Sequence, residues 1–170
     1  MDLSKYIRDV ENFPKEGVLF KDITPLLLSP EATREALRQL VAQAEGLGVT
    51  KVAAVESRGF FFGSLIANEL GVGYVPVRKK GKLPYETISM EYDLEYGTDV
   101  VEIHADAINK GDKVLIHDDV LATGGTAEAV MKLVEKAGGE VVLMSFLMKL
   151  NFLHGEEKLA GKTVKCLFEY

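Results

Sequence analysis

The chain has 170 residues, 47% of them hydrophobic, which is enough to bury the core of one domain. Its formal net charge of −6 argues against a nucleic-acid-binding protein, because such proteins present a basic surface to phosphates. Cys166 is the only cysteine, no apolar run reaches the roughly 20 residues that cross a bilayer, and no signal sequence is seen. We therefore expect a cytoplasmic protein with no membrane contact.

Helices and strands alternate along most of the chain. Asp2 is placed to cap a short helix over residues 3–10, and Ser29-Pro30 has the residues of a helix start. The pattern then predicts strands at 51–55, 73–77, 100–104, 114–116, 141–148 and 164–168, with helices at 59–70 and 127–137. This alternation predicts an α/β fold with a central, mainly parallel sheet flanked by helices.

Residues 114–126 read VLIHDDVLATGGT and join a buried strand to a helix. Asp118 and Asp119 stand where that strand should end, and a loop of small residues follows. Free backbone N–H groups and the positive end of a helix dipole favour an anion at such a loop, although it has neither a Walker A nor a Rossmann glycine pattern. A pair of ribose hydroxyls or a hydrated magnesium ion would suit the two carboxylates. Solvated acids at a strand end are the less favoured alternative.

Two further polar clusters follow predicted strands. Residues 56–59 form a strand-to-helix turn, and Arg78, Lys79, Lys80 and Lys82 place four cations within five residues. In a parallel sheet, the ends of these strands and of the strand before Asp118 meet at one edge. A polyanion such as diphosphate would explain the grouped cations, whereas a solvated basic face and an ordinary turn remain the alternatives.

Two aromatic segments have two possible interpretations each. Phe20 is either a core residue or a platform for stacking a base. Residues 84–96, with three tyrosines and with Glu91 and Glu95 among their acids, are either a lid that closes over the site or a β-hairpin with surface acids. The sequence pattern does not choose between them. His104 and His154 lack metal-ligand spacing, and we interpret both as structural.

The stretch at 114–126 resembles the phosphoribosyl-diphosphate signature of type I phosphoribosyltransferases. Similar segments are FPKEGVLFKDITP at 13–25, ESRGFFFG at 56–63, VPVRKKGKLP at 75–84 and LEYG at 94–97, and the last two are typical of members that act on adenine. The resemblance covers nearly the whole chain and implies one domain over residues 1–170. It also implies a small hood from the N-terminal segment and a flexible lid loop.

The implied reaction converts adenine and 5-phosphoribosyl 1-diphosphate into AMP and diphosphate, with magnesium, in purine salvage. Carried over by position, Asp118 and Asp119 hold the ribose hydroxyls. The 5′-phosphate is held by Ala122, Thr123, Gly124, Gly125 and Thr126, and the diphosphate by Ser57, Arg58, Arg78, Lys79 and Lys82. Magnesium has no direct protein ligand and is held through substrate and water near the two aspartates.

The resemblance also implies how the base is recognised. Phe20 stacks on adenine, backbone groups of Leu19 and Lys21 read its polar edge, and Glu95 on the lid handles the proton at N7. Glu95 and Arg58 are the implied catalytic residues. In the family, an arginine from the basic segment at 78–82 of one subunit can serve the active site of the neighbouring subunit. The resemblance therefore implies a homodimer.

The chain departs from the family at His117, where an aliphatic residue is usual. The family also tends to have a strained, sometimes cis, peptide at the position of Glu56-Ser57, and we expect one here. Three alternative functions stay open: a phosphoribosyltransferase for 6-oxopurines, a non-catalytic sensor of phosphoribosyl diphosphate, and a nucleotide-binding module without chemistry.

Overall fold

The computed structural model describes residues 1–93 and 97–170. By their internal contacts, Met1–Gln39 and Leu40–Tyr170 form two compact units. The single domain expected over residues 1–170 stays a prediction. Within the described residues, no helix is both long enough and apolar enough to cross a membrane.

The first unit contains a short antiparallel pair of strands. After a 3-10 helix at Leu3–Tyr6 come β1 (Arg8–Glu11), β2 (Leu19–Asp22), α1 (Thr24–Leu28) and α2 (Pro30–Ala42), whose last residues pass into the second unit. The helix expected over residues 3–10 is therefore wrong beyond Tyr6. Cross-strand ion pairs favour the extended form, since Arg8 lies 2.6 Å from Asp22 and Lys21 lies 2.7 Å from Asp9.

The second unit is built on a seven-stranded sheet in the order β5-β6-β4-β3-β7-β8-β9. Its elements are β3 (Lys51–Val55), α3 (Gly59–Leu70), β4 (Gly73–Lys79), β5 (Thr87–Asp93), β6 (Thr98–His104), β7 (Lys113–Leu121), α4 (Gly125–Lys136), β8 (Glu140–Lys149) and β9 (Val164–Glu169). The pairs among β4, β3, β7, β8 and β9 are parallel, whereas β5 and β6 add an antiparallel edge. The predicted α/β class with a mainly parallel sheet is confirmed.

The sheet has a topological switch point at β3. This strand pairs with β4 on one side and with β7 on the other. The chain runs from β3 to β4 but from β7 to β8 in the opposite direction, so the strand order reverses between β3 and β7. Ligands of such sheets bind outside the carboxyl ends of the strands at this point. The turn at 56–59, the cations at 78–82 and the acids at 118–119 all belong to these three strand ends.

Two strand boundaries differ from the prediction. β7 does not end before Asp118 but runs on to Leu121, because β8 pairs with it as far as Leu121 and Lys149. Part of the segment at 84–96 is a hairpin strand, since β5 pairs with β6 from Thr87 and His104 to Asp93 and Thr98. The hairpin interpretation is confirmed for that strand, and residues 94–96 lie outside the described residues.

His117 is a buried histidine in the centre of β7. The side chain has no exposed surface, and neither ring nitrogen has a hydrogen-bond partner within the described residues. Burial lowers the pKa of His117 to about 4, and the nearby Asp119 carboxylate and Ser145 backbone offset only part of that shift. The ring is therefore a neutral packing group at physiological pH.

We expect His117 to make the protein less stable in acid. Its pKa of about 4 in the folded protein lies below the unfolded value of 6.5, so the unfolded chain binds more protons between these limits. The free energy of unfolding should therefore fall by up to roughly 3 kcal/mol as pH drops from about 6.5 to about 4. Urea unfolding of His117→Val at pH values across this range should show a flatter dependence than the parent protein.

The matched control is His154→Asn, because the His154 side chain is 71% exposed and asparagine tolerates its positive φ of 54°. This variant should follow the parent protein. The interpretation is wrong if His117→Val and the parent lose the same free energy of unfolding on acidification, whatever their absolute stabilities.

Candidate active site

A small concave site lies at the carboxyl end of β7. It is lined by Asp118, by residues 120–123 and by the first turn of α4. Gly124 has a φ of +81°, which glycine adopts without strain, and α4 begins at the next residue. Because Gly124 has no side chain to cap α4, the first backbone N–H groups can bind an anion. All five residues predicted to hold the 5′-phosphate, residues 122–126, line this concave site.

The loop is supported from behind by Gly155, in a 3-10 turn at Gly155–Leu159. A Cβ at Gly155 would overlap the carbonyl oxygen of Ala122, and a Cβ at Gly124 would overlap the carbonyl oxygen of Gly155. The two backbones therefore approach closely only because both residues are glycine. Sequence reasoning missed Gly155, because a single glycine in a turn carries no signal of a contact so far along the chain.

The two acids of β7 have different surroundings. Asp119 is 5% exposed and its Oδ2 accepts a hydrogen bond from Arg58 Nε, whereas Oδ1 of Asp118 accepts the Asp119 N–H at 2.8 Å. Loss of hydration raises the pKa of Asp118 well above its usual value, and the Asp119 carboxylate adds to the shift.

The turn after β3 approaches these acids closely. Gly59 starts α3, and a Cβ there would lie 2.9 Å from Oδ1 of Asp118. The peptide between Glu56 and Ser57 is cis, in agreement with the expectation for this position. Arg58 therefore joins the turn to Asp119, and the turn and the acids form one site as predicted.

Glu56 connects the same turn to the basic loop, which we define as residues 78–82. Its side chain is 8% exposed; Oε2 accepts Arg78 Nε at 2.6 Å, while Oε1 accepts the Lys79 N–H at 3.2 Å and lies 3.1 Å from Lys82 Nζ. Burial raises the pKa of Glu56, but the hydrogen bonds from Arg78 and Lys82 outweigh it and hold that pKa below its usual value. Glu56 was not among the predicted site residues.

Lys79 points to a different set of partners. Its ammonium group pairs with Asp99 of β6 and donates to the Tyr92 hydroxyl at 2.6 Å. That hydroxyl lies 3.4 Å from Oγ1 of Thr126 in the phosphate loop. Burial lowers the pKa of Lys79, but Asp99 and Tyr92 outweigh it and raise that pKa above its usual value. Lys79 therefore connects the basic loop to the β5–β6 hairpin and, through Tyr92, to the first turn of α4.

The predicted adenine residues lie in β2 of the first unit. Leu19 is 49% exposed, and the ring of Phe20 meets that of Phe13 edge-on at a centroid distance of 5.1 Å. Lys21 pairs with Asp9 across the strands at 2.7 Å. Glu95, the predicted proton acceptor, lies outside the described residues.

Residues 22–164 match the model of the phosphoribosyl transferase domain family. This range includes the anion loop, the paired acids and the basic loop. Two adenine phosphoribosyltransferases are close relatives. That of Flavobacterium johnsoniae is 61% identical over 100% of both chains, and that of Christiangramia forsetii is 55% identical over 100% of this chain and 99% of the other.

Solved structures agree with the sequence comparison. The adenine phosphoribosyltransferase of Thermoanaerobacter pseudethanolicus superposes with a TM-score of 0.97 at 50% identity, covering 99% of this chain and 98% of that one. The Saccharomyces cerevisiae enzyme, solved with an imino-altritol bisphosphate and adenine, superposes at 0.90 and 39% identity, covering 98% and 96%. The chain belongs to the adenine phosphoribosyltransferase family.

Gly155→Ala should distort the loop at residues 122–126, although Gly155 itself is not among the residues assigned to bind substrate. The added methyl group overlaps Ala122 and must displace the loop, so we expect KM for phosphoribosyl diphosphate to rise roughly 10- to 100-fold. Steady-state kinetics with varied phosphoribosyl diphosphate measures this. Gly73→Ala is the control, because its Cβ would meet only the flexible Lys51 side chain at the amino end of β4. Equal KM values for both variants would contradict the role of Gly155.

Proposed function

We propose that the chain catalyses the adenine phosphoribosyltransferase reaction of purine salvage, in which adenine and 5-phosphoribosyl 1-diphosphate give AMP and diphosphate. Full-length identity of 61% to a relative with that name supports the reaction. The observation that carries the proposal is the juxtaposition of the α4 N-terminus with Asp118 and Asp119, because a sugar phosphate needs an anion site beside acceptors for its hydroxyls.

We assign the substrate groups to the strand ends as follows. Residues 122–126 bind the 5′-phosphate through backbone N–H groups and the threonine hydroxyls. Asp118 and Asp119 accept hydrogen bonds from the ribose 2′- and 3′-hydroxyls, and Arg58 neutralises Asp119. The diphosphate faces the turn with Ser57 and Arg58 and the basic loop with Arg78, Lys79 and Lys82.

This assignment fits the charge that develops during transfer. As the bond from C1 to diphosphate lengthens, the ribose ring gains positive charge, as in glycoside chemistry, and the two aspartates stabilise it. The leaving diphosphate gains negative charge next to Arg58, Arg78 and Lys82. Opposite charges therefore face the two halves of the breaking bond.

Magnesium fits this site through the substrate. Among residues 1–93 and 97–170, no three His, Cys, Asp or Glu side chains converge as metal ligands. Asp118 and Asp119 are nevertheless adjacent oxygen donors, and Mg²⁺ is commonly held by one or two carboxylates with its waters and substrate phosphates. When bound there, the ion neutralises diphosphate as it leaves.

Recognition of adenine is assigned to the first unit and the lid. Phe20 stacks on the base, and backbone groups of Leu19 and Lys21 read its polar edge. A 6-oxopurine reverses the donor and acceptor at that edge, so fixed backbone groups would discriminate against it. Glu95 accepts the proton of adenine at N7.

We further propose a cytoplasmic homodimer that binds neither nucleic acid nor membranes. The family pattern in which an arginine of the basic loop serves a neighbouring site supports the dimer. The negative net charge supports the absence of nucleic-acid binding. The single cysteine, Cys166, supports the cytoplasmic location.

The reaction is tested by diphosphate release from phosphoribosyl diphosphate and magnesium in the presence of single purine bases. We expect release with adenine and formation of AMP, with hypoxanthine and guanine at least 100-fold poorer because of the reversed edge. Turnover of hypoxanthine without turnover of adenine would establish the 6-oxopurine alternative instead. Binding of phosphoribosyl diphosphate without turnover of any base would establish a sensor.

Glu95→Gln should lower kcat for adenine by roughly 100- to 10,000-fold, because glutamine cannot take up the N7 proton. KM for phosphoribosyl diphosphate should change little. Glu91→Gln is the matched control, since Glu91 is an exposed glutamate on β5 of the same hairpin and should keep the parent rate. An unchanged kcat in Glu95→Gln would remove Glu95 from the mechanism.

A further inference from the structure

The basic loop is not an uncompensated cluster of cations. Arg78 and Lys82 share the Glu56 carboxylate, and Lys79 pairs with Asp99. These internal partners of three of the cations explain how four cations within five residues are tolerated before any polyanion binds. A diphosphate group that uses Lys82 must therefore compete with Glu56 for it.

The two ion pairs of Glu56 differ in how firmly they are held. Arg78 Nε lies 2.6 Å from Oε2, its side chain is 36% exposed, and a second nitrogen contacts the Lys82 carbonyl at 3.4 Å. Lys82 Nζ lies 3.1 Å from Oε1, with 53% of its side chain exposed. Since the Lys79 N–H also donates to Oε1 at 3.2 Å, Glu56 keeps a partner on each oxygen if Lys82 leaves.

We propose that Glu56 is a positioning residue that acts as a built-in competitor of diphosphate. In the empty site it holds the Lys82 ammonium group, and when diphosphate binds, Lys82 moves from the carboxylate to the phosphate oxygens. Arg78 and the Lys79 N–H stay on Glu56 and keep it ionised. After transfer, the carboxylate recovers Lys82 and so favours release of the product diphosphate.

The inference rests on the proposed diphosphate site. It predicts that loss of the Glu56 charge strengthens diphosphate binding, whereas a purely structural role for Glu56 predicts the opposite. Glu56→Gln removes the competing charge and should tighten diphosphate binding about tenfold. If Glu56 only shaped the loop, the same change would misplace Arg78 and weaken binding.

The experiment measures the Kd of magnesium diphosphate by calorimetry on the full chain. The inhibition constant of diphosphate during adenine turnover is the second readout, and it should fall by the same factor. Glu102→Gln is the matched control. Glu102 is a 7% exposed carboxylate that accepts the Gly81 N–H at 3.0 Å and pairs with no cation in the described part of the chain. The Glu102→Gln variant should bind magnesium diphosphate as tightly as the parent protein or more weakly.

A double-mutant cycle with Lys82→Met identifies the cation involved. Lys82→Met alone should weaken diphosphate binding, and the tightening by Glu56→Gln should be at least threefold smaller in that background. Equal effects of Glu56→Gln with and without Lys82 would overturn the exchange. So would weaker or unchanged binding in Glu56→Gln itself.

Two further variants keep the inference and the proposed site separable. If Lys82→Met and Arg78→Met both leave Kd unchanged, the proposed diphosphate site is wrong. If they weaken binding while Glu56→Gln fails to tighten it, the site stands and the inference fails. Should Glu56→Gln not fold, Glu56→Asp retains the charge but withdraws the carboxylate from Lys82, and the absence of any tightening there would also overturn it.

Discussion

The arrangement of the site depends on compensating the charge of two adjacent carboxylates in a place with little water. Asp118 and Asp119 cannot both be ionised cheaply at the end of a buried strand. Arg58 meets this need for Asp119, and the positive end of α4 lies beside Asp118. The arginine in turn fixes the turn after β3, so that strand, turn and loop are organised around the same pair of acids.

The same principle extends outward along the sheet edge. Glu56 compensates Arg78 and Lys82, and Asp99 compensates Lys79. Glu56 follows β3 while its partners lie at and after the end of β4, and Asp99 lies in β6 while Lys79 ends β4. The ion pairs therefore link the ends of neighbouring strands, and a ligand that replaces one partner changes the balance at the next strand.

Much of this could be predicted from the sequence, because the signals were local. The small residues and the apolar periodicity predict the strand–loop–helix that begins at residues 114–126. The alternation of helices and strands predicts the parallel sheet. Since parallel strands place their carboxyl ends together, the convergence of the turn, the basic loop and the acids also followed. Asp2 caps the 3-10 helix at Leu3–Tyr6 as expected, and the misassignment of residues 7–10 arose because the pairing of β1 with β2 takes over from Arg8.

What could not be predicted were contacts between distant parts of the chain. Nothing in the local pattern indicates that Glu56 serves the cations at 78–82, that Lys79 finds Asp99, or that β8 holds β7 extended through both acids. These depend on strand order and register, which a single sequence does not contain.

The contact between Gly124 and Gly155 has a consequence for engineering. The shape of the loop at residues 122–126 is completed by a turn that follows β8 in the chain. A loop grafted onto another parallel sheet without that turn would lack the wall against which its backbone rests. The transferable unit is therefore discontinuous, and a designer who wants the phosphate site must carry both pieces and the strand that connects them.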